Sequence, residues 1–118
     1  AVNYSQKVIE LAKGDAADAD KSRKLSAGVA HSTLGYAYMK EEKTAAAVPE
    51  LKSAAGLLKG QDEATYSTTL YRLGFAYAKL NKLTEAREVL TEASNTPGPA
   101  QQLSKDLLNK VNTARSKK

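Results

Sequence analysis

The sequence predicts an all-α fold on three observations: helix-forming residues dominate, apolar residues recur at three- and four-residue spacing, and turn residues separate the periodic segments. Alanine supplies 20 of the 118 residues, and Leu, Glu and Lys are also frequent. These side chains lose little rotamer freedom in a helix. The β-branched and aromatic runs that announce strands are missing. With one Phe, six Tyr and no Trp, the core must be built from Leu, Ala, Val and Tyr, which suits closely packed helices. The length fits one modest domain, residues 1–118.

Tyr4, Val8, Leu11 and Ala12 share one face of a short helix over about residues 4–13, with Gly14 as its stop. The following run, with Asp15, Asp18 and Asp20, suits the first turns of a second helix, whose free amides favour negative charge. That helix passes through Leu25, Val29, Leu34 and Tyr38 to about Lys40. Gly28 and Gly35 inside it cost about 1 kcal/mol each relative to Ala, which points to close approach of another backbone. A third helix begins near Thr44 and carries Ala47, Val48, Leu51, Ala54, Ala55 and Leu58. Pro49 leaves two readings: either the helix starts later, at about Ala47 or Val48, or proline sits within it and kinks it. Gly60, Gln61 and Asp62 punctuate; a fourth helix spans about 63–80 and a fifth about 82–94. Asn95-Thr96-Pro97-Gly98-Pro99 is the clearest turn. Leu103, Leu107, Leu108 and Val111 then mark a last amphipathic helix from about Ala100 to Arg115.

The composition also removes several classes of function. Without cysteine there is no disulfide, thiolate metal site or cysteine nucleophile. No apolar run approaches the roughly 20 residues that cross a bilayer. The chain begins at Ala1 with neither a start methionine nor a signal peptide, as in a trimmed mature protein or an excised fragment. A soluble protein of cytoplasm or periplasm is expected, with the compartment open. The net charge of +5 is uneven: Lys105, Lys110, Arg115, Lys117 and Lys118 against Asp106 put +4 on residues 101–118. A nucleic-acid binder needs a basic stripe on its folded body, so nucleic acid is not an expected partner. The basic end reads as a solvated tail or a contact for an acidic partner or membrane surface.

Comparing the chain with itself reveals an internal repeat. One unit reads Leu70-x-x-Leu73-Gly74-x-x-Tyr77, then Ala86-x-x-x-Leu90-x-x-Ala93. The other reads His31-x-x-Leu34-Gly35-x-x-Tyr38, then Ala47-x-x-x-Leu51-x-x-Ala54, with every internal spacing the same. In each unit the first group shares one helix face and the second group forms the answering face of the next helix. The small residues Gly35, Gly74, Ala47 and Ala86 let the paired backbones approach.

This pattern resembles the tetratricopeptide repeat, of the kind found in small bacterial domains. The unit at residues 63–99 matches well, except that Leu70 and Leu90 stand where aromatics are usual. The unit at 25–60 is divergent, with His31 leading and no terminal proline. The two glycines lie 39 residues apart rather than the family's usual 34, the extra length falling at about 57–66. The resemblance implies antiparallel helix pairs in a short right-handed solenoid with flanking helices, the last (100–116) a cap. If Leu103, Leu107 and Val111 cover the end of the stack the protein is a capped monomer; if they protrude, two copies meet there.

It also implies a function: a non-catalytic scaffold that binds a protein or peptide on its concave face. That wall would carry Val29, Ser32, Tyr36, Met39 and Lys40 from one unit, and Thr68, Tyr71, Phe75, Ala78 and Lys79 from the other. Tyr36, Tyr71 and Phe75 form the sharpest candidate set, since aromatics bury apolar area and offer hydroxyls. The competing reading buries them under neighbouring helices. Some family members hold a C-terminal carboxylate with lysines and asparagines, but Tyr36 and Phe75 stand where those asparagines would be, so that specialised use is not expected. The alternative function is structural: assembly with itself, or with another domain of a larger protein, through the terminal helices.

Catalysis finds little support. His31 is the sole histidine, and its helical neighbours Ala27, Gly28, Leu34 and Gly35 supply no carboxylate to orient it. No nucleophile elbow or phosphate loop is present. Asp15, Asp18 and Asp20 lack calcium-loop spacing, and the pairs Glu41-Glu42 and Asp62-Glu63 read as helix-end residues. No cofactor or metal is expected.

Overall fold

The computed structural model describes residues 20–116 as five helices: α1 (Asp20–Lys40), α2 (Thr44–Leu58), α3 (Glu63–Lys79), α4 (Leu83–Ser94) and α5 (Gln101–Ser116). The helix expected over 4–13, most of the acidic run after it, and Lys117 and Lys118 lie outside the described residues. Neighbours in sequence pack as neighbours in space: α1 on α2, α2 on α3, α3 on α4, and α5 on α4 and α3. The result is an all-α fold of paired, stacked helices.

The strongest sign of repetition is in the backbone. After α1, Glu42 takes φ of 60°, and after α3, Asn81 takes φ of 60°. Lys43 N–H donates to the Tyr38 carbonyl (2.8 Å) and Glu42 N–H to that of Met39 (3.0 Å). The same two bonds recur from Lys82 to Tyr77 (2.9 Å) and from Asn81 to Ala78 (3.0 Å). Both helices thus end in a Schellman turn, which satisfies their last carbonyls and reverses the chain.

α2 runs from Thr44 through Pro49, which sets aside the later start at Ala47 or Val48. The physical reason is that Ala47 N–H already donates to the Lys43 carbonyl (3.1 Å), so the helical ladder is established before the proline. Pro49 has no N–H for the carbonyl four residues back, and both Ala45 and Pro49 are exposed, so water can take that carbonyl.

Gly28, Gly35 and Gly74 chiefly receive leucine side chains, and Gly35 also faces the Ala47 carbonyl (3.4 Å). A Cβ at Gly35 would lie 2.6 Å from Leu51 Cγ, and one at Gly74 would lie 2.5 Å from Leu90 Cγ. Each pair therefore interlocks through a leucine of its second helix seated over a glycine of its first. Leu51, Leu90, Ala47, Ala54, Ala86 and Ala93 are fully buried, and Leu34, Leu70, Leu73 and Tyr77 nearly so. One apolar cluster joins Ala47 and Leu51 to Leu73, Ala76, Tyr77, Ala86, Leu90 and Val111, with half-buried Tyr38 against it. A second joins Ala54, Leu58, Tyr66, Leu70 and Ala93 at the other end. There the Tyr66 hydroxyl donates to Glu92, and burial, followed by that carboxylate, pushes the phenol's pKa well up.

α5 lays Ser104 and Val111 against the stack, with Ala100 buried just before it and Leu107 and Leu108 half-buried beside the first cluster. Gln101 Nε2 ties its start to the Ser94 carbonyl (3.0 Å). Leu103 is 52% exposed, so the expected covering face is corrected: Leu107, Leu108 and Val111 cover, and Leu103 points away.

Candidate functional site

α1 and α3 present a shared face. A depression of about 340 Å³ lies between them, lined by Val29, Ser32, Thr33, Thr68 and Arg72 on the two helices and by Pro99. Further along the same helices stand Tyr36 and Phe75, at 43% and 37% exposure, and Val29 is 40% exposed. Among the described residues Leu103 on α5 is also exposed, but these three are gathered on one face.

The predicted wall residues divide. Val29, Tyr36, Lys40, Phe75 and Lys79 are exposed. Met39, Thr68, Tyr71 and Ala78 are half-buried. Tyr71 sits 6.2 Å from Phe75, ring centre to ring centre, tilted by 58°, but also packs on the first apolar cluster together with Met39 and Ala78. The Thr68 hydroxyl donates to the Ala64 carbonyl (3.2 Å). Ser32 lines the depression yet is only 2% exposed, and it shares a 2.8 Å hydrogen bond with fully buried Thr69, which makes it the polar pin between α1 and α3.

The residue that organises this face escaped the sequence reading. Arg72 Nη1 donates to Ser32 Oγ (3.1 Å) and to the Ser32 carbonyl (3.4 Å). Its guanidinium carbon lies 4.4 Å from the centre of the Tyr36 ring, and Lys40 Nζ approaches that ring to 5.5 Å. Such stacking holds the guanidinium plane in place. Burial pulls the Arg72 pKa down and the Tyr36 contact pushes it back up; arginine remains a cation at neutral pH. The available signal was spacing: Thr68, Arg72, Phe75 and Lys79 recur at intervals of four, three and four, one stripe of α3.

Ser32→Ala tests the pin. It leaves the Thr69 hydroxyl buried without its partner and removes an acceptor from Arg72, at an expected cost of about 1–3 kcal/mol. Denaturant unfolding should show this loss. Adding Thr69→Val should recover part of it, because removing both polar partners leaves no hydroxyl stranded.

His31, half-buried, donates from Nδ1 to Glu50 Oε1 of α2 (2.8 Å). Its neighbours within α1 supply no carboxylate, as expected; the orienting carboxylate comes from the next helix. The pair ties α1 to α2, away from the α1–α3 face. Among the described residues, no group of three or more His, Asp or Glu could hold a metal ion, and no helix is long and apolar enough to cross a membrane.

Comparison with known proteins adds one match. The tetratricopeptide repeat family model matches residues 67–95, covering α4 and most of α3. The match marks this part of the chain as a non-catalytic helical repeat. No curated protein matches the chain, and no solved structure does.

Proposed function

We propose that this protein is an interaction scaffold that binds a protein or peptide on the α1–α3 face. In this reading two tetratricopeptide-like units, residues 25–60 and 63–99, stack as a short right-handed solenoid. Residues 100–116 cap it, and the first helices of the units form the concave wall. The observation that carries the proposal is the exposure of Val29, Tyr36 and Phe75 on that wall, beside the cations Lys40, Arg72 and Lys79. The repeat match at residues 67–95 supports it.

The test replaces Tyr36 and Phe75 together by Ser and leaves Tyr71, which packs on the core. A pull-down with the intact chain, followed by competition with candidate peptides, should show partner capture reduced about tenfold or more, as for aromatic anchors of an interface. Thermal unfolding should shift little by comparison. If the double variant loses its fold in step with its binding, these rings are structural and the wall is not a binding site.

The exposure of Leu103 on α5 favours a second role, assembly through the terminal helix with another copy or a neighbouring domain. Sedimentation of the wild type and of Leu103→Ser separates the two: a dimer lost in the variant supports assembly.

A further inference from the structure

The inner and outer helices differ in charge. α1 carries four cationic side chains against one acid, Asp20 at its first residue, and α3 carries two against one acid, Glu63 at its first residue. The outer helices carry Glu50 and Lys52 on α2, and Glu85, Glu88 and Glu92 with Arg87 on α4. Among the described residues, α1 and α3 thus hold no acid beyond their first residues, and on their shared face Arg72, Lys40 and Lys79 accompany exposed aromatic rings.

Arg72 is the centre of this asymmetry. Its hydrogen bonds run from Nη1 to Ser32, and among the described residues it has no carboxylate partner. Nε and Nη2 form the other edge of the fork, the edge that takes a carboxylate through two parallel N–H bonds. Stacking on Tyr36 (4.4 Å) and the bonds to buried Ser32 fix the plane in advance, so less side-chain freedom is lost when an acceptor arrives.

We infer, building on the groove proposed above, that its partner is an acidic protein segment: an internal Asp or Glu side chain takes the open edge of Arg72, and a large apolar neighbour in that segment lies on Tyr36 and Phe75. The carboxylate belongs to a side chain rather than a chain end, because Arg72 is one fork anchored at Ser32 and the positions around it are aromatic rather than amide-bearing. A nucleic-acid strand fits the face less well. Phosphates need cations at regular intervals, whereas Val29, Tyr36 and Phe75 offer apolar area between few cations.

An array of short random-sequence peptides, acetylated and amidated at their ends, probed with the full chain, tests this. Bound peptides should be enriched in Asp or Glu next to Leu, Phe or Tyr, and binding should weaken as salt rises. Arg72→Met should lower affinity for the acidic peptides about tenfold to a hundredfold, as for loss of a charge-assisted bond pair. Arg72→Lys, which keeps the charge but not the fork, should fall between; it decides the matter if Arg72→Met does not fold. Peptides that bind through Tyr36 and Phe75 without acidic preference, or with a preference unchanged in both Arg72 variants, overturn the inference and leave the groove standing. Binding indifferent to Arg72, Tyr36 and Phe75 alike overturns both. Displacement of the acidic peptides by oligothymidylate, with Arg72→Met weakening its binding too, makes this a phosphate surface and also overturns the inference.

Discussion

Gly74→Leu is expected to abolish cooperative folding. A Cβ at this position would already lie 2.5 Å from both Cγ and Cδ2 of Leu90, and Leu90 is fully buried. It has little room to swing aside, because it is fully buried among Ala86, Leu73, Ala76, Tyr77 and the other residues of the first cluster. A leucine adds three further carbons into the same space, so α3 and α4 must separate. Overpacking typically costs 1–3 kcal/mol where the core can yield; here it yields little, and the gain of about 1 kcal/mol from replacing a helical glycine does not compensate. Circular dichroism should lose its sharp thermal transition. Leu90→Ala in the Gly74→Leu background should restore part of it by returning the volume. A Gly74→Leu protein that melts within a few degrees of wild type contradicts the interlocked packing described for this pair.

Leu51→Ala should be the most damaging single truncation in the first unit, at about 2–5 kcal/mol. Leu51 is fully buried, fills the space over Gly35, and belongs to the cluster that also holds Leu73, Tyr77 and Leu90 of the second unit. Its loss therefore opens a cavity in the shared core of the two helix pairs. Against a total stability of about 5–15 kcal/mol for a small domain, such a change lowers the midpoint by tens of degrees or leaves the domain partly unfolded at ambient temperature. Thermal and denaturant unfolding measure it. Loss below 1 kcal/mol would mean that the two units do not share a core.

The helices were legible because their signals are local. Apolar spacing and turn residues placed α2 to α5 to within a few residues, and the repeated Leu-Gly-x-x-Tyr and Ala-x-x-x-Leu-x-x-Ala groups identified which faces meet. Pro49 was ambiguous because proline removes one hydrogen bond without saying whether the helix has begun; the Ala47 amide decides that. The candidate site was less legible. Spacing placed Ser32 and Tyr36, four residues apart, on the same face of α1, but only the register of α1 against α3 buries Ser32 on Thr69 and leaves Tyr36 exposed beside Arg72. Similarly, Glu50 reaches His31 from 19 residues away in sequence, beyond any pattern within one helix.

The two units solve the same crowding problem from opposite sides. Gly28 in α1 makes room for Leu58, whose Cγ would lie 2.7 Å from any Cβ there. The position in α3 that stands 39 residues later is Ser67, which is fully buried; there the missing side chain belongs to Gly98, whose Cβ would lie 2.6 Å from Ser67 Cβ. Across each of these two contacts one partner is reduced to a glycine, in the helix at Gly28 and in the turn after α4 at Gly98. A side chain added to either glycine meets a buried neighbour, so Gly28 and Gly98 are packing positions although one lies in a helix and the other in a turn.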